Sequence, residues 1–305
     1  MNIEVKFNNN DFKFFINEKA LTNNVKVVIQ NTPLFEVKKI TITFTTQMLE
    51  DIENFQRLNG WRRIGMSKGA IGKAFTIADG EHHVFLKFDN FRRLAEYDYI
   101  EDERVLTELH YLHHEIAHLY DGSVTIEILP ETFYGMENLT YKERFLYEIA
   151  MITWCEYKAN FISVTTLNTV NFENYCTGLI NCFGNMEERV KMAKVEIEVD
   201  SSNCLEIQYL IKDLFYSLGQ IIGLMQGSES DKFREELKLL LLKTEEEYGN
   251  LDIVQALINS IKIIDSNYRS WENYEVLKPI NKVIEKFLKS KNIEVTNDLL
   301  FNSIN

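Results

Sequence analysis

The chain has 305 residues, with 33 basic and 46 acidic side chains and a net charge of −13. At 45% hydrophobic and 12% aromatic it holds ample material for a core, which excludes a disordered chain. The acidic balance speaks against a general nucleic-acid binder, since such binding is driven by phosphate neutralisation. The charge is lopsided: residues 1–100 carry 14 basic and 12 acidic groups, and residues 101–305 carry 19 and 34. The six histidines are more lopsided still, all lying between His82 and His118.

In chain order, the first residues lack a basic stretch followed by an apolar one, so no secretory signal is expected there. Residues 25–30 and 39–44 are β-branched runs that predict strands; Ile40, Thr41, Ile42 and Thr43 alternate as in a half-buried strand. Residues 46–57 have helical spacing at Met48, Ile52 and Phe55. Residues 73–78 and 82–88, joined by Asp79-Gly80, predict a β-hairpin. Phe75, Ile77, Val84 and Leu86 are expected on its core face. Beyond Asp102 the pattern is helical, at 103–120, 141–168, 186–196, 205–226, 230–247, 251–264 and 271–290. Breaks are expected at Asp121-Gly122, Gly227-Ser228, Gly249-Asn250 and Ser266-Asn267.

The fold class expected is therefore α+β, with a small mixed sheet at the front and helices behind. Residues 1–168 are taken as one domain and 169–305 as an acidic helical domain completing or covering the site. No apolar run approaches the ~18–20 residues a membrane span needs. The four cysteines, Cys155, Cys176, Cys182 and Cys204, have no C-x-x-C spacing and read as free thiols, so a cytoplasmic protein is expected. Cys176 and Cys182 are better explained as small buried side chains than as metal ligands.

Residues 112–121 contain one H-E-x-x-H, formed by His114, Glu115 and His118. Positions i and i+4 lie one turn apart on one helical face, so two imidazoles can reach one Zn²⁺ at ~2.0–2.1 Å. Glu115 flanks that face and can take a proton from metal-bound water. On the wheel Val105, Leu109, Leu112 and Ile116 form the core stripe, and His114 and His118 fall opposite it, beside His110 and Asp121. The competing reading, a pair of surface histidines, places them more often at the edge of the stripe.

A third ligand is needed. His110 is about 12 Å from His118 along a helix rising 1.5 Å per residue, too far to share one ion. One of His82 and His83 could face the site from the hairpin. With no later histidine, a ligand from the following helices is a carboxylate or, less readily, a cysteine. Glu156 fits best: it falls in the middle of the apolar face formed by Phe145, Ile149, Ile152 and Ala159, where an ionised carboxylate is costly unless paired or bound to metal. The alternative is an ion pair with Arg144 or Lys158, and Glu148 is the reserve. Asp121 is either a hydrogen-bond acceptor for a ligand imidazole, a rival third ligand, or an ordinary turn residue.

At these residues the chain resembles the gluzincin class of zinc metallopeptidases, with H-E-x-x-H and a downstream Glu. A further likeness is to ImmA/IrrE-type peptidases, whose second helix carries E-x-x-A-N, here Glu156, Ala159 and Asn160. The resemblance covers about residues 70–165; the spacing from His118 to Glu156 and the acidic helical tail lie outside that pattern. It implies a zincin-like core, one Zn²⁺ on His114, His118 and Glu156, Asn160 supporting the site or acting as an alternative ligand, and an edge strand that pairs with an extended substrate. The activity implied is zinc-dependent endopeptidase action on a protein or peptide, with Glu115 as general base. Tyr157, Tyr268 and Tyr274 are candidates for stabilising the oxyanion, each as readily a packing tyrosine.

The alternative from a different class is a regulatory, catalytically inactive zincin scaffold that docks a protein partner; retention of Glu115 speaks against it, because metal binding does not require that residue. Nucleic-acid contact through Arg57, Arg62, Arg63, Arg92 and Arg93 is better explained as scattered surface pairs. No nucleic acid and no membrane are expected as partners, and the oligomeric state is left open.

Overall fold

A computed structural model describes residues 2–8, 16–33, 37–60, 71–77, 80–99, 102–128, 139–199, 205–248, 251–297 and 301–303. Arg62, Arg63, Asp79, Cys204 and the Gly249-Asn250 break lie outside the described residues. The chain is α+β, and it divides into two compact units: residues 1–123 with 162–171, and residues 124–161 with 172–305.

The first unit is organised by a four-stranded sheet. Its strands are β1 (Asn2–Phe7), β2 (Lys39–Thr45), β3 (Gly72–Thr76) and β4 (Glu81–Lys87), in the order β1-β2-β4-β3. β1, β2 and β4 run parallel, and β3 pairs antiparallel with β4 at the edge. Ile40, Ile42 and Phe44 of β2 and Val84 and Leu86 of β4 share one face. There they meet Leu21, Val25 and Val28 from α1 (Glu18–Asn31) and Val105, Leu109, Leu112, Ile116 and Leu119 from α4 (Val105–Ile128). The opposite face carries Phe75 and Phe85, covered by Met48 and Ile52 of α2 (Met48–Leu58). A short helix, α3 (Arg92–Glu96), precedes α4.

Four sequence expectations are corrected here. Residues 25–30 are not a strand but the second half of α1. The Asn17 side chain caps that helix by accepting from the Ala20 N–H, and burial of Leu21, Val25 and Val28 at helical spacing outweighs the β-branched preference of the two valines. Strand β2 is not half-buried: Thr41 and Thr43 are buried as well, because both faces of this parallel strand are covered. Phe75 does not share a face with Val84 and Leu86, since the antiparallel register sets it opposite His83. Helix α4 does not stop at Asp121-Gly122 but continues to Ile128, with Gly122 facing Thr76; a Cβ there would sit 3.3 Å from its Oγ1.

After α4 the described residues are helical apart from two short strands near the end of the chain. Helix α5 (Tyr141–Ser163) ends in a 3₁₀ turn at Val164–Thr166 rather than running to 168. A helix the sequence reading passed over follows, α6 (Thr169–Gly184), where the Asn168 side chain accepts from the Asn171 N–H. Next come α7 (Met186–Val199), α8 (Leu205–Gly227), α9 (Asp231–Tyr248) and α10 (Leu251–Ser266). The stretch expected as a helix from 271 is instead a 3₁₀ turn, Tyr274–Leu277, followed by α11 (Lys278–Ser290) with proline in its first turn. Strands β5 (Ile293–Val295) and β6 (Phe301–Ser303) close the chain as an antiparallel pair.

Helices α5 and α8 meet through glycine. A Cβ added at Gly219, Gly223 or Gly227 would lie 2.5, 2.3 or 2.5 Å from the carbonyl oxygens of Thr153, Tyr157 and Phe161 respectively. Both series step by four residues and rise together, so the two helices run parallel with their backbones in contact over two turns. Among the described residues no helix is long and apolar enough to cross a membrane.

Candidate metal centre

His114 and His118 stand one turn apart on α4, and their Nε2 atoms face each other at 3.0 Å with the rings nearly perpendicular. Glu156 of α5 completes the group: the ligand atoms of His114, His118 and Glu156 all lie within 4.8 Å of one another. His114 and Glu156 are each only 6% exposed, and His118 is half-buried. This donor set fits a divalent metal. Two nitrogens on a tetrahedral Zn²⁺ with bonds of ~2.0–2.1 Å are about 3.3 Å apart, close to the separation found. A buried carboxylate beside two imidazoles also supplies the counter-charge that such an ion requires.

The surroundings hold Glu156 in place. Its Oε2 accepts a 2.9 Å hydrogen bond from the Gln220 amide of α8. The buried Asn160 amide donates to the Glu156 backbone carbonyl at 2.9 Å, one turn along α5. Lys158, an ion-pair alternative for Glu156, is bound at 2.6 Å to Asp265, with its ammonium over the rings of Tyr268, Phe161 and Trp154. Glu148, the reserve ligand, is exposed on the same helix.

Glu115 follows His114 and is half-buried against the edge strand. A Cβ at Gly72 of β3 would fall 2.7 Å from Glu115 Oε1 and 2.8 Å from its Cδ and Cγ, so the carboxylate occupies space left by the missing side chain. Asp121 is buried at 1% exposure within α4 and is not one of the three converging ligands among the described residues.

The remaining histidines are held in the fold. His110 and His113 both place Nδ1 on the Thr166 hydroxyl, at 3.2 and 3.0 Å. That hydroxyl also lies 2.9 Å from the Ser163 carbonyl, to which it donates. Burial pushes both rings toward the neutral form, His113 down to about 4 and His110 well below its usual value. His83 accepts or donates at 2.8 Å with Thr43, stacks on Phe85, and is pushed down to about 4 by burial. His82 is buried on the strand face shared by Val84 and Leu86. The histidine-bearing side of α4, which the sequence wheel marks as polar, is thus buried.

The three tyrosine candidates are packed into the second unit. Tyr157 is fully buried, donates to Asp265 Oδ2 at 3.0 Å, and has its hydroxyl pKa raised by that burial and by the neighbouring carboxylate. Tyr268 lies against Trp154 and Trp271, and Tyr274 meets Tyr147 edge-on. Among the described residues Cys155, Cys176 and Cys182 form no disulfide, and burial raises Cys176 to about 11 and raises Cys182, which keeps both protonated at neutral pH.

Sequence reasoning missed Gln220, Gly72 and the Gly219, Gly223, Gly227 series. Only the last left a signal, glycines four apart within one helical run. Comparison with known proteins gives no match: no family model, no curated protein and no solved structure corresponds to this chain.

Proposed function

We propose that this chain is a zinc-dependent peptidase of the gluzincin type, with a weaker likeness to the ImmA/IrrE peptidases, acting on proteins or peptides in the cytoplasm. The observation that carries the reading is the convergence of His114, His118 and Glu156, with Glu115 placed between that group's helix and the edge strand β3. Free thiols support the compartment.

His114, His118 and Glu156 would hold one Zn²⁺, which when bound supplies a Lewis acid and brings the pKa of a coordinated water toward ~7. Glu115 receives the proton released as water attacks the scissile carbonyl and delivers it to the departing amine. β3 has one strand edge paired with β4 and the other at the margin of the sheet, where an extended substrate can add by main-chain hydrogen bonds. Gly72 on that strand leaves room for the Glu115 carboxylate beside the substrate's path.

The test measures zinc content and cleavage of unfolded casein by the wild type and by Glu115→Gln. Expected is one zinc in both proteins, and cleavage by the wild type that falls by about 10²–10⁴-fold in the variant. Zinc-replete wild type that cleaves no better than Glu115→Gln would replace this reading with the regulatory scaffold. Absence of stoichiometric zinc in the wild type would remove both.

A further inference from the structure

We propose that Gln220 is a positioning residue for the metal centre: its side-chain amide fixes the carboxylate of Glu156, and with it the metal affinity of the site. The inference rests on Glu156 being a ligand, as argued above. Gln220 Nε2 donates to Glu156 Oε2 at 2.9 Å, with Glu156 buried and Gln220 half-buried.

The contact depends on how closely α8 approaches α5. Gly219, the residue before Gln220, has its Cα so near α5 that an added Cβ would lie 2.5 Å from the Thr153 carbonyl and 3.3 Å from the Glu156 Cβ. Gly223 and Gly227 repeat that approach one and two turns on, so the position of Gln220 along α5 is set by three consecutive contacts. A glutamine side chain starting beside the Glu156 Cβ is long enough to come back onto its carboxylate.

The chemistry favours an amide here. A carboxylate is free to turn about its last bond, and every orientation lost on metal binding weakens that binding. A neutral donor on one oxygen selects the rotamer before the metal arrives and leaves the negative charge intact. A cationic donor would compete with the metal for that charge. The one cation next to Glu156 in sequence, Lys158, is drawn off instead by Asp265.

The experiment compares zinc affinity of the wild type, Gln220→Met and Gln220→Glu by chelator competition, with melting of the metal-free proteins and the visible spectrum of their Co²⁺ forms. Methionine keeps the length and removes the donor; glutamate keeps the shape and places a second negative acceptor on Glu156. Expected is a zinc affinity lowered about 10–100-fold in Gln220→Met and further in Gln220→Glu. The Co²⁺ bands should shift, and metal-free Gln220→Met should melt as the wild type does. A purely structural glutamine would give the reverse order, with the isosteric glutamate milder, and unshifted Co²⁺ bands; that result overturns the proposal. Affinities within threefold of a zinc-binding wild type overturn it while leaving the ligand set standing. A wild type that binds no zinc overturns the ligand set itself, and the role of Gln220 with it.

Discussion

Gly72 and Glu115 illustrate how much of the site turns on single atoms. The Glu115 carboxylate lies where a Cβ on residue 72 would be, so Gly72→Ala must move either the strand or the carboxylate proposed above as general base. Expected is a fall of at least about tenfold in kcat/KM with zinc content unchanged, read by peptide cleavage alongside metal analysis. Glu108 gives a second residue-scale prediction. It is buried on α4, accepts the Leu94 N–H at 2.7 Å, and is pushed up to about 7 by desolvation. A carboxyl raised above its unfolded value of 4.5 stays protonated longer in the folded chain, so this residue's contribution falls as pH rises from about 5 to about 7 and is level above. Urea unfolding of Glu108→Gln should lose that slope, worth on the order of 1–3 kcal/mol across the window. At this scale the sequence was most readable where charge met periodicity. His114, Glu115 and His118 stand out by spacing, and Glu156 by being a carboxylate inside an apolar face. Gln220 left no such mark, because a neutral amide on a helix is unremarkable until the facing helix is known.

At the scale of elements, long periodic helices were legible and short or composite ones were not. Helices α8, α9 and α10 lie within a few residues of where the 3.6-residue pattern puts them. Residues 25–30 misled because local β-branched preference opposed a burial pattern that only the sheet makes useful. The Asp121-Gly122 step misled in the other direction: inside α4 the glycine serves the approach to Thr76, not a turn. The same two-sidedness of glycine gives the prediction for α8. Gly223→Ala would set a methyl 2.3 Å from the Tyr157 carbonyl oxygen, so the α5–α8 pair must separate. Thermal unfolding should show a loss of about 1–3 kcal/mol, from overpacking of a close backbone contact. Zinc affinity should fall in parallel, because the shift carries Gln220 away from Glu156.

For the molecule as a whole, the mixed strand-and-helix front followed by a mainly helical remainder could be read from the change of period near residue 102. The strand order β1-β2-β4-β3 could not: β1 alternates Ile3, Val5 and Phe7 with Asn2, Glu4 and Lys6 and was still passed over, and neighbours and register are properties of pairs. The excess of acidic residues after position 100 is spread along helices, much of it on exposed positions such as Glu235, Glu236 and Glu246. Metal removal is the whole-molecule test. A ligand that binds only the folded chain stabilises it by about 2.7 kcal/mol at a hundred times its Kd. Stripping zinc with a chelator should therefore lower the melting temperature of the wild type, and His118→Ala should melt at one temperature with or without the metal.

The glycine contact between α5 and α8 also bears on descent. One residue inserted between Gly219 and Gly227 would turn the remaining steps about 100° round the helix and break the contact beyond it. Substitutions elsewhere on α8 leave it untouched. Kin of this chain that keep the centre should therefore retain Gly-Gln-x2-Gly-x3-Gly at unchanged length, downstream of a helix carrying Glu-x3-Asn, however far the rest has diverged. Spacing across two helices, rather than overall likeness, is the character by which such kin are to be recognised.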